Sequence, residues 1–255
     1  MKKLLIMLIT SVLALSVLVG CEGSKNVENK TNTEGTKVVD EKKDVKDLVT
    51  IKEVVNKEDA SPNGEIVKYI YEVPIINIDK SGAQKVNDMF LNLEKDQEKR
   101  IGNGQSMTLL IKSKAFLNDG LISLVMEIKK PGSGGLYAVN YDIENDKEIN
   151  TKELLEKYNF DPQKLIAEIN RQVKINESKP GEEKDFISID DFVYTIVDDP
   201  LNGVKKLEEM LDKPKEEKER YVIENIDKIM AYMNNDGKFV FIHRGELVDE
   251  ELVVE

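Results

Sequence analysis

Residues able to do chemistry are few and scattered in this chain of 255 residues. It holds one histidine, His243, and one cysteine, Cys21. His243 could serve as a general base or as a single metal ligand, but no second His and no nearby Cys is present to share a metal. Beside Arg244, at the end of a predicted strand, it reads as a solvent-facing strand residue. Asp190-Asp191 and Asp198-Asp199 resemble paired carboxylates, yet the chain has 49 acidic residues, so neither pair stands out from its background. The stretch from Asp142 to Glu153 puts Asp142, Glu144, Asp146 and Glu153 at the acidic positions of a calcium loop, with Ile149 at its apolar one. Lys147, however, occupies the place where glycine makes the sharp turn, and a predicted strand leads in. The structural reading of this stretch is a strand, a tight turn at Asn145-Asp146 and a capped helix. No zinc-protease His-Glu-x-x-His, nucleophile-elbow Gly-x-Ser-x-Gly or phosphate-binding loop occurs, and Gly102-Asn103-Gly104 is too short for a dinucleotide fingerprint. The expectation is a chain with no catalytic residue, no metal and no cofactor.

Cys21 has a different chemistry. Lys2 and Lys3 precede an apolar run from Leu4 to Val19, and small Gly20 stands directly before the thiol. That order is the order of a secretory signal peptide. Leu18-Val19-Gly20-Cys21 resembles a bacterial lipobox, which implies a diacylglyceryl group on the Cys21 sulfur and cleavage that leaves Cys21 as the new N-terminus. The run is shorter than the roughly twenty apolar residues a membrane-spanning helix needs, whereas two acyl chains anchor stably. The expected location is the outer face of the cytoplasmic membrane in a Gram-positive-type envelope, with membrane contact through the lipid on Cys21.

Composition narrows the partners. With Cys21 modified, no cysteine remains for a disulfide, so packing alone must stabilise the body. Trp is absent and aromatic residues make up 6% of the chain, which argues against a sugar-stacking module. The full chain carries 37 basic and 49 acidic residues, a charge of −12, and removing Lys2 and Lys3 with the leader takes it to −14. That sign disfavours nucleic acid and anionic headgroups and favours a cationic partner, although solubility alone accounts for it too.

The elements follow in order. Residues 21–47 lack aromatics and apolar periodicity and read as a disordered tether with a reach on the order of 30 Å. Thr50 to Asn56 and Glu65 to Ile76 are β-rich about a turn at Ser61-Pro62-Asn63-Gly64, with Pro74 marking an edge strand or a strand end. Ser81 reads as an N-cap before Val86, Met89, Phe90 and Leu93 at helical spacing. Met107–Leu117 and Leu121–Lys129 flank Asn118-Asp119-Gly120, a hairpin signal, and Leu136–Ile143 follows as a third strand of a meander. Asn150 with Glu153 forms a capping box, and Asp161-Pro162 opens a helix whose face carries Leu165, Ile166, Ile169 and Val173. Phe186 to Val197 alternates apolar and acidic residues. Leu201–Leu211 reads as a helix ended by Pro214, and Lys213–Arg220 as a solvated charge run. A last hairpin pairs Lys228–Met233 with Lys238–His243. The fold class is α+β, an antiparallel sheet meander with helices packed on it, in an N-terminal strand-helix lobe (48–104) and a C-terminal α+β lobe (105–255).

Gly134-Gly135-Leu136-Tyr137-Ala138-Val139-Asn140-Tyr141-Asp142-Ile143, then Lys147-Glu148-Ile149 and Lys152-Glu153-Leu154-Leu155, resembles the extracytoplasmic domain of RsiV-type anti-sigma factors, which bind lysozyme, and of PdaC-type peptidoglycan deacetylases. Val73-Pro74-Ile75-Ile76-Asn77 with Val86-Asn87, and the hairpin from Tyr232 to Phe241, resemble the start and close of that domain. After the hairpin this chain has acidic Gly245 to Leu252 where those domains are aromatic. The resemblance implies no catalytic residue. It implies a non-enzymatic, lipid-anchored binding protein of the envelope, whose partner is peptidoglycan or a cationic muramidase such as lysozyme. The alternative is an envelope enzyme, or an accessory subunit of a peptidoglycan-modifying enzyme, which a pocket of strongly shifted carboxylates would favour. A calcium-binding adhesion module would rest on the 142–153 loop alone.

Overall fold

The computed structural model describes residues 44–60, 64, 66–101, 108–178, 187–197, 203–245 and 249–255. The leader, Cys21 and the tether up to residue 43 lie outside them, as do Gly102-Asn103-Gly104 and Asp198-Asp199. Structure begins earlier than the tether boundary at 47 implies. Helix α1 (Val45–Leu48) is a single turn held by a capping box, in which the Asp44 carboxylate accepts from Lys46 N–H and the Asp47 carboxylate from Asp44 N–H. Val45 and Leu48 pack against the core, so the apolar pair in this charged stretch ties it down.

A six-stranded sheet runs in sequence order through β1 (Val49–Ala60), β2 (Ile66–Ile76), β3 (Leu109–Asn118), β4 (Leu121–Lys130), β5 (Ser133–Asp142) and β6 (Lys147–Ile149). Neighbouring strands are antiparallel except β2 and β3, which run parallel where Tyr69–Tyr71 meets Leu109–Ile111. That parallel step follows from helix α2 (Ser81–Ile101), which crosses over between them. The sheet therefore crosses the lobe boundary expected at 104/105, and Lys42–Glu255 forms one compact unit. Asp119 (φ 38°) and Gly120 (φ 79°) form the two-residue β3–β4 turn, whose two left-handed residues match the twist of the strands. Pro74 lies toward the end of β2, past the β3 ladder, where its missing N–H breaks no pairing.

Both faces of the sheet are covered, which explains why β4 is buried over its first six residues instead of alternating. Ile122, Leu124 and Met126 face α2 with Tyr71, Ile111, Val139 and Tyr141. Ala83, Val86 and Phe90 fill that face from the helix, each large side chain contributing roughly 1.5–3 kcal/mol by its burial. Asn87 fastens the helix to the end of β2, accepting from Ile76 N–H (2.8 Å) and donating to Ile76 C=O (3.0 Å).

Val125, on the opposite face, meets a second sheet of β7 (Ala231–Met233), β8 (Phe239–Arg244) and β9 (Asp249–Val254), in that order. Tyr232, Val240 and Ile242 close this interface. The other side of the small sheet packs on helices α3 (Thr151–Lys157), α4 (Gln163–Ser178), α5 (Ile189–Val197), α6 (Gly203–Leu211) and α7 (Lys215–Glu224). Within the apolar-acidic alternation from Phe186, whose first residue lies outside the described residues, Ile189–Val197 resolves as helix α5, with Phe192, Val193, Ile196 and Val197 buried. The charge run before Arg220 is not wholly solvated. Lys213–Glu217 and Lys215–Glu219 pair along α7, but Lys218 is buried and bonds Asp190 (2.8 Å), because its turn of α7 faces α5.

Candidate functional site

The lookalike calcium loop shows what its acids do. Asp142, at the end of β5, is 3% exposed. It accepts from Glu144 N–H, Asn145 N–H and Asn145 Nδ2, and from Lys157 Nζ at 2.9 Å. Burial alone would raise its pKa, but these Asn145 and Lys157 bonds outweigh burial and bring it down to about 2. Asp146, left-handed at φ 49°, turns away toward α2. Its Oδ1 accepts from Gly82 N–H (2.9 Å) and the Tyr141 hydroxyl (2.7 Å), and its Oδ2 from Ser81 Oγ (3.3 Å). The cap of α2 is therefore Asp146 and not Ser81, which begins the helix itself. The Tyr141 bond, first among its causes, holds the Asp146 carboxyl below the ordinary range. Glu153 is the N3 partner of the capping box at Asn150 and pairs with Lys147 (2.6 Å). Asp142, Asp146 and Glu153 point three ways, each into a structural contact, and Glu144 is exposed. Among the described residues no cluster of three or more His, Cys, Asp or Glu side chains is placed to hold a metal.

His243 is not solvent-facing. It is 1% exposed, because β8 is the middle strand of the small sheet and α5 lies over its helix-side face. The ring sits 5.0 Å from that of Phe192, and among the described residues neither ring nitrogen has a hydrogen-bond partner, with a Glu250 carboxylate oxygen 4.0 Å from Nε2. Burial pushes its pKa down, opposed by the charges of Asp191, Glu250 and Asp249. Asp190 pairs with Lys218, and Asp191 accepts from Ser188 N–H (2.7 Å) and Ser188 Oγ (2.9 Å) at the start of α5. Both are structural residues.

A groove of about 920 Å³ lies elsewhere, between α4 and β9. Ala167 and Arg171 of α4 form one wall, and Glu251, Val253 and Glu255 the other. The helix places these residues on one face by its i, i+4 spacing. Lys164 donates from Nζ to Glu255 C=O (3.1 Å), Lys238 pairs with Glu255 (2.5 Å), and Arg171 binds Glu168 through two nitrogens (2.6 and 2.7 Å). At the other end, Glu251 accepts from the Tyr232 hydroxyl (2.9 Å), whose pKa is driven up first by burial and then by that carboxylate. Val253 stays 43% exposed between these polar ends. Such an arrangement suits recognition: a shallow apolar floor flanked by charges of both signs. The sequence pattern placed Gly245 to Leu252 as an acidic tail, so this wall was missed. The alternation of Leu252 and Val254 with Glu251 and Val253 was its one local signal. Comparison of the chain with family models and with curated proteins finds no match.

Proposed function

We propose that the chain is a non-enzymatic, lipid-anchored binding protein of the cell envelope, held to the outer face of the cytoplasmic membrane through Cys21. The α4–β9 groove carries the binding part of this reading. The anchor rests on Lys2 and Lys3, the apolar run and Leu18-Val19-Gly20-Cys21. The most depressed carboxylate, Asp142, is a fixed anion, whereas a general acid needs a raised pKa. The likeness of residues 134–155 to wall-linked domains directs the choice of ligand to peptidoglycan or a wall-acting protein. A charge of −14 favours a cationic muramidase such as lysozyme and disfavours nucleic acid.

Two measurements test this. Tagged fatty acid should label the wild-type chain and not Cys21→Ser, and label that persists in the variant removes the anchor. The purified chain should also sediment with peptidoglycan sacculi or give heat on titration with lysozyme. Affinity carried by charge alone falls steeply between low and physiological salt, where the Debye length is about 8 Å. Retention by neither ligand overturns the binding reading.

A further inference from the structure

The small sheet has two edges, and they are treated differently. At β7 the outward-facing groups are satisfied by side chains of the large sheet. Asn140 Nδ2 donates to Ala231 C=O (2.7 Å), and Met233 N–H donates to Ser123 Oγ (3.3 Å). That edge is sealed. The phase of the other edge follows from β8. Ile242 N–H bonds Met230 C=O on the β7 side, so Phe241 and His243 direct their backbone groups to β9. Their partners Leu252 and Glu250 face back, which leaves Glu251 and Val253 with N–H and C=O pointing outward. Both residues line the groove under α4. Among the described residues none supplies a partner to these outward groups.

The long edge at β1 looks different. It mixes Lys52, Glu53, Lys57 and Glu58 and carries an irregularity between Glu53 and Val55, both devices that discourage pairing. β9 has no such irregularity, and its charges are of one sign. It carries Asp249, Glu250 and Glu251, Glu255 follows it, and there is no base over residues 249–255. A second copy of this strand is therefore a poor occupant, since antiparallel pairing centred on Val253 sets Glu251 against Glu255.

We propose that the outer edge of β9 takes an extended, lysine- or arginine-bearing polypeptide segment as a fourth strand of the small sheet, with α4 as the facing wall. The ladder to Glu251 and Val253 supplies binding independent of side chains, and an apolar residue of the segment covers Val253. Glu251 and Val253 share one face of β9, the face toward the large sheet, so a base two places from that residue stands opposite Glu251 on the same face. This rests on the binding reading above and specifies its partner as a protein with an exposed basic strand.

The probe is a short blocked peptide with lysines two places either side of a valine (Lys-Thr-Val-Thr-Lys), so that all three share one face, titrated into the full chain. Its controls are a glutamate-for-lysine counterpart and a version methylated on alternate backbone nitrogens. We expect the lysine peptide to bind at least tenfold more tightly than either. Val253→Pro removes an outward N–H without touching the β8 ladder, and Ala167→Phe fills the groove from the exposed face of α4. Each should weaken binding at least tenfold with the thermal midpoint retained in Ala167→Phe. Equal binding of the methylated peptide, or no loss in Ala167→Phe, would show charge attraction alone and overturn strand addition. Absence of peptide binding by a chain that still binds sacculi or lysozyme overturns it too, while leaving the binding reading standing. Absence of all three removes both.

Discussion

Gly82 shows how one missing carbon can be required. A Cβ on it would lie 2.1 Å from the Asp146 carbonyl oxygen, a distance the backbone must yield to relieve. Gly82→Ala should therefore destabilise the fold by about 2 kcal/mol or more, although alanine is the better helix former. A drop in thermal midpoint of several degrees checks this, and an unchanged midpoint refutes it. His243 makes a prediction of a different kind. Its folded pKa lies below its ordinary 6.5, so near and below that pH the unfolded chain binds more protons than the native one. Its contribution is complete above 6.5 and is lost as pH falls from there toward the lowered folded value. The thermal midpoint should decline from about pH 7.5 to about 5.5, and His243→Phe should flatten that decline. An equal slope in the variant would refute the assignment to His243.

At the scale of elements, the contact between the two sheets depends on a short polar chain. Ser123 Oγ donates to Asn140 Oδ1 (2.7 Å), while Asn140 Nδ2 reaches Ala231 C=O. Asn140→Ala should cost on the order of 2 kcal/mol, because a buried carbonyl loses its donor and Ser123 its acceptor. Urea midpoints of the variant and the parent measure it. Much of this level was legible in the chain. Asp119-Gly120 fixed a hairpin and Asn150 with Glu153 fixed a helix start, since both are local and need only near neighbours. What escaped was set at a distance. The Asp146 cap of α2 joins residues 64 apart, and the depth of His243 depends on α5 covering β8. Lys218 looked solvated for the same reason: its partner Asp190 is 28 residues away.

Among the described residues, the Lys42–Glu255 unit stacks α2, the large sheet, the small sheet and helices α3 to α7 in layers about three cores. The groove is a property of this stacking, since α4 and β9 are far apart in the chain and neither has a motif. Composition could name the charge of the body but not the edge where it concentrates. Limited proteolysis should cut within residues 22–41 and leave a stable fragment close to Lys42–Glu255, the compact unit. Mass spectrometry of the resistant fragment decides it, and cleavage that begins inside β1 or α2 would refute it.

The Asp146 contact also bears on the order in which the chain can acquire structure. In order of emergence from the N-terminus, α2 appears well before the turn that caps it, 64 residues later. Until that turn arrives, the opening amides of the helix must be hydrated. The turn in turn presupposes β5 paired with β6. The start of α2 thus closes after the rest of its own layer, and its completion reports that β5 and β6 have already paired.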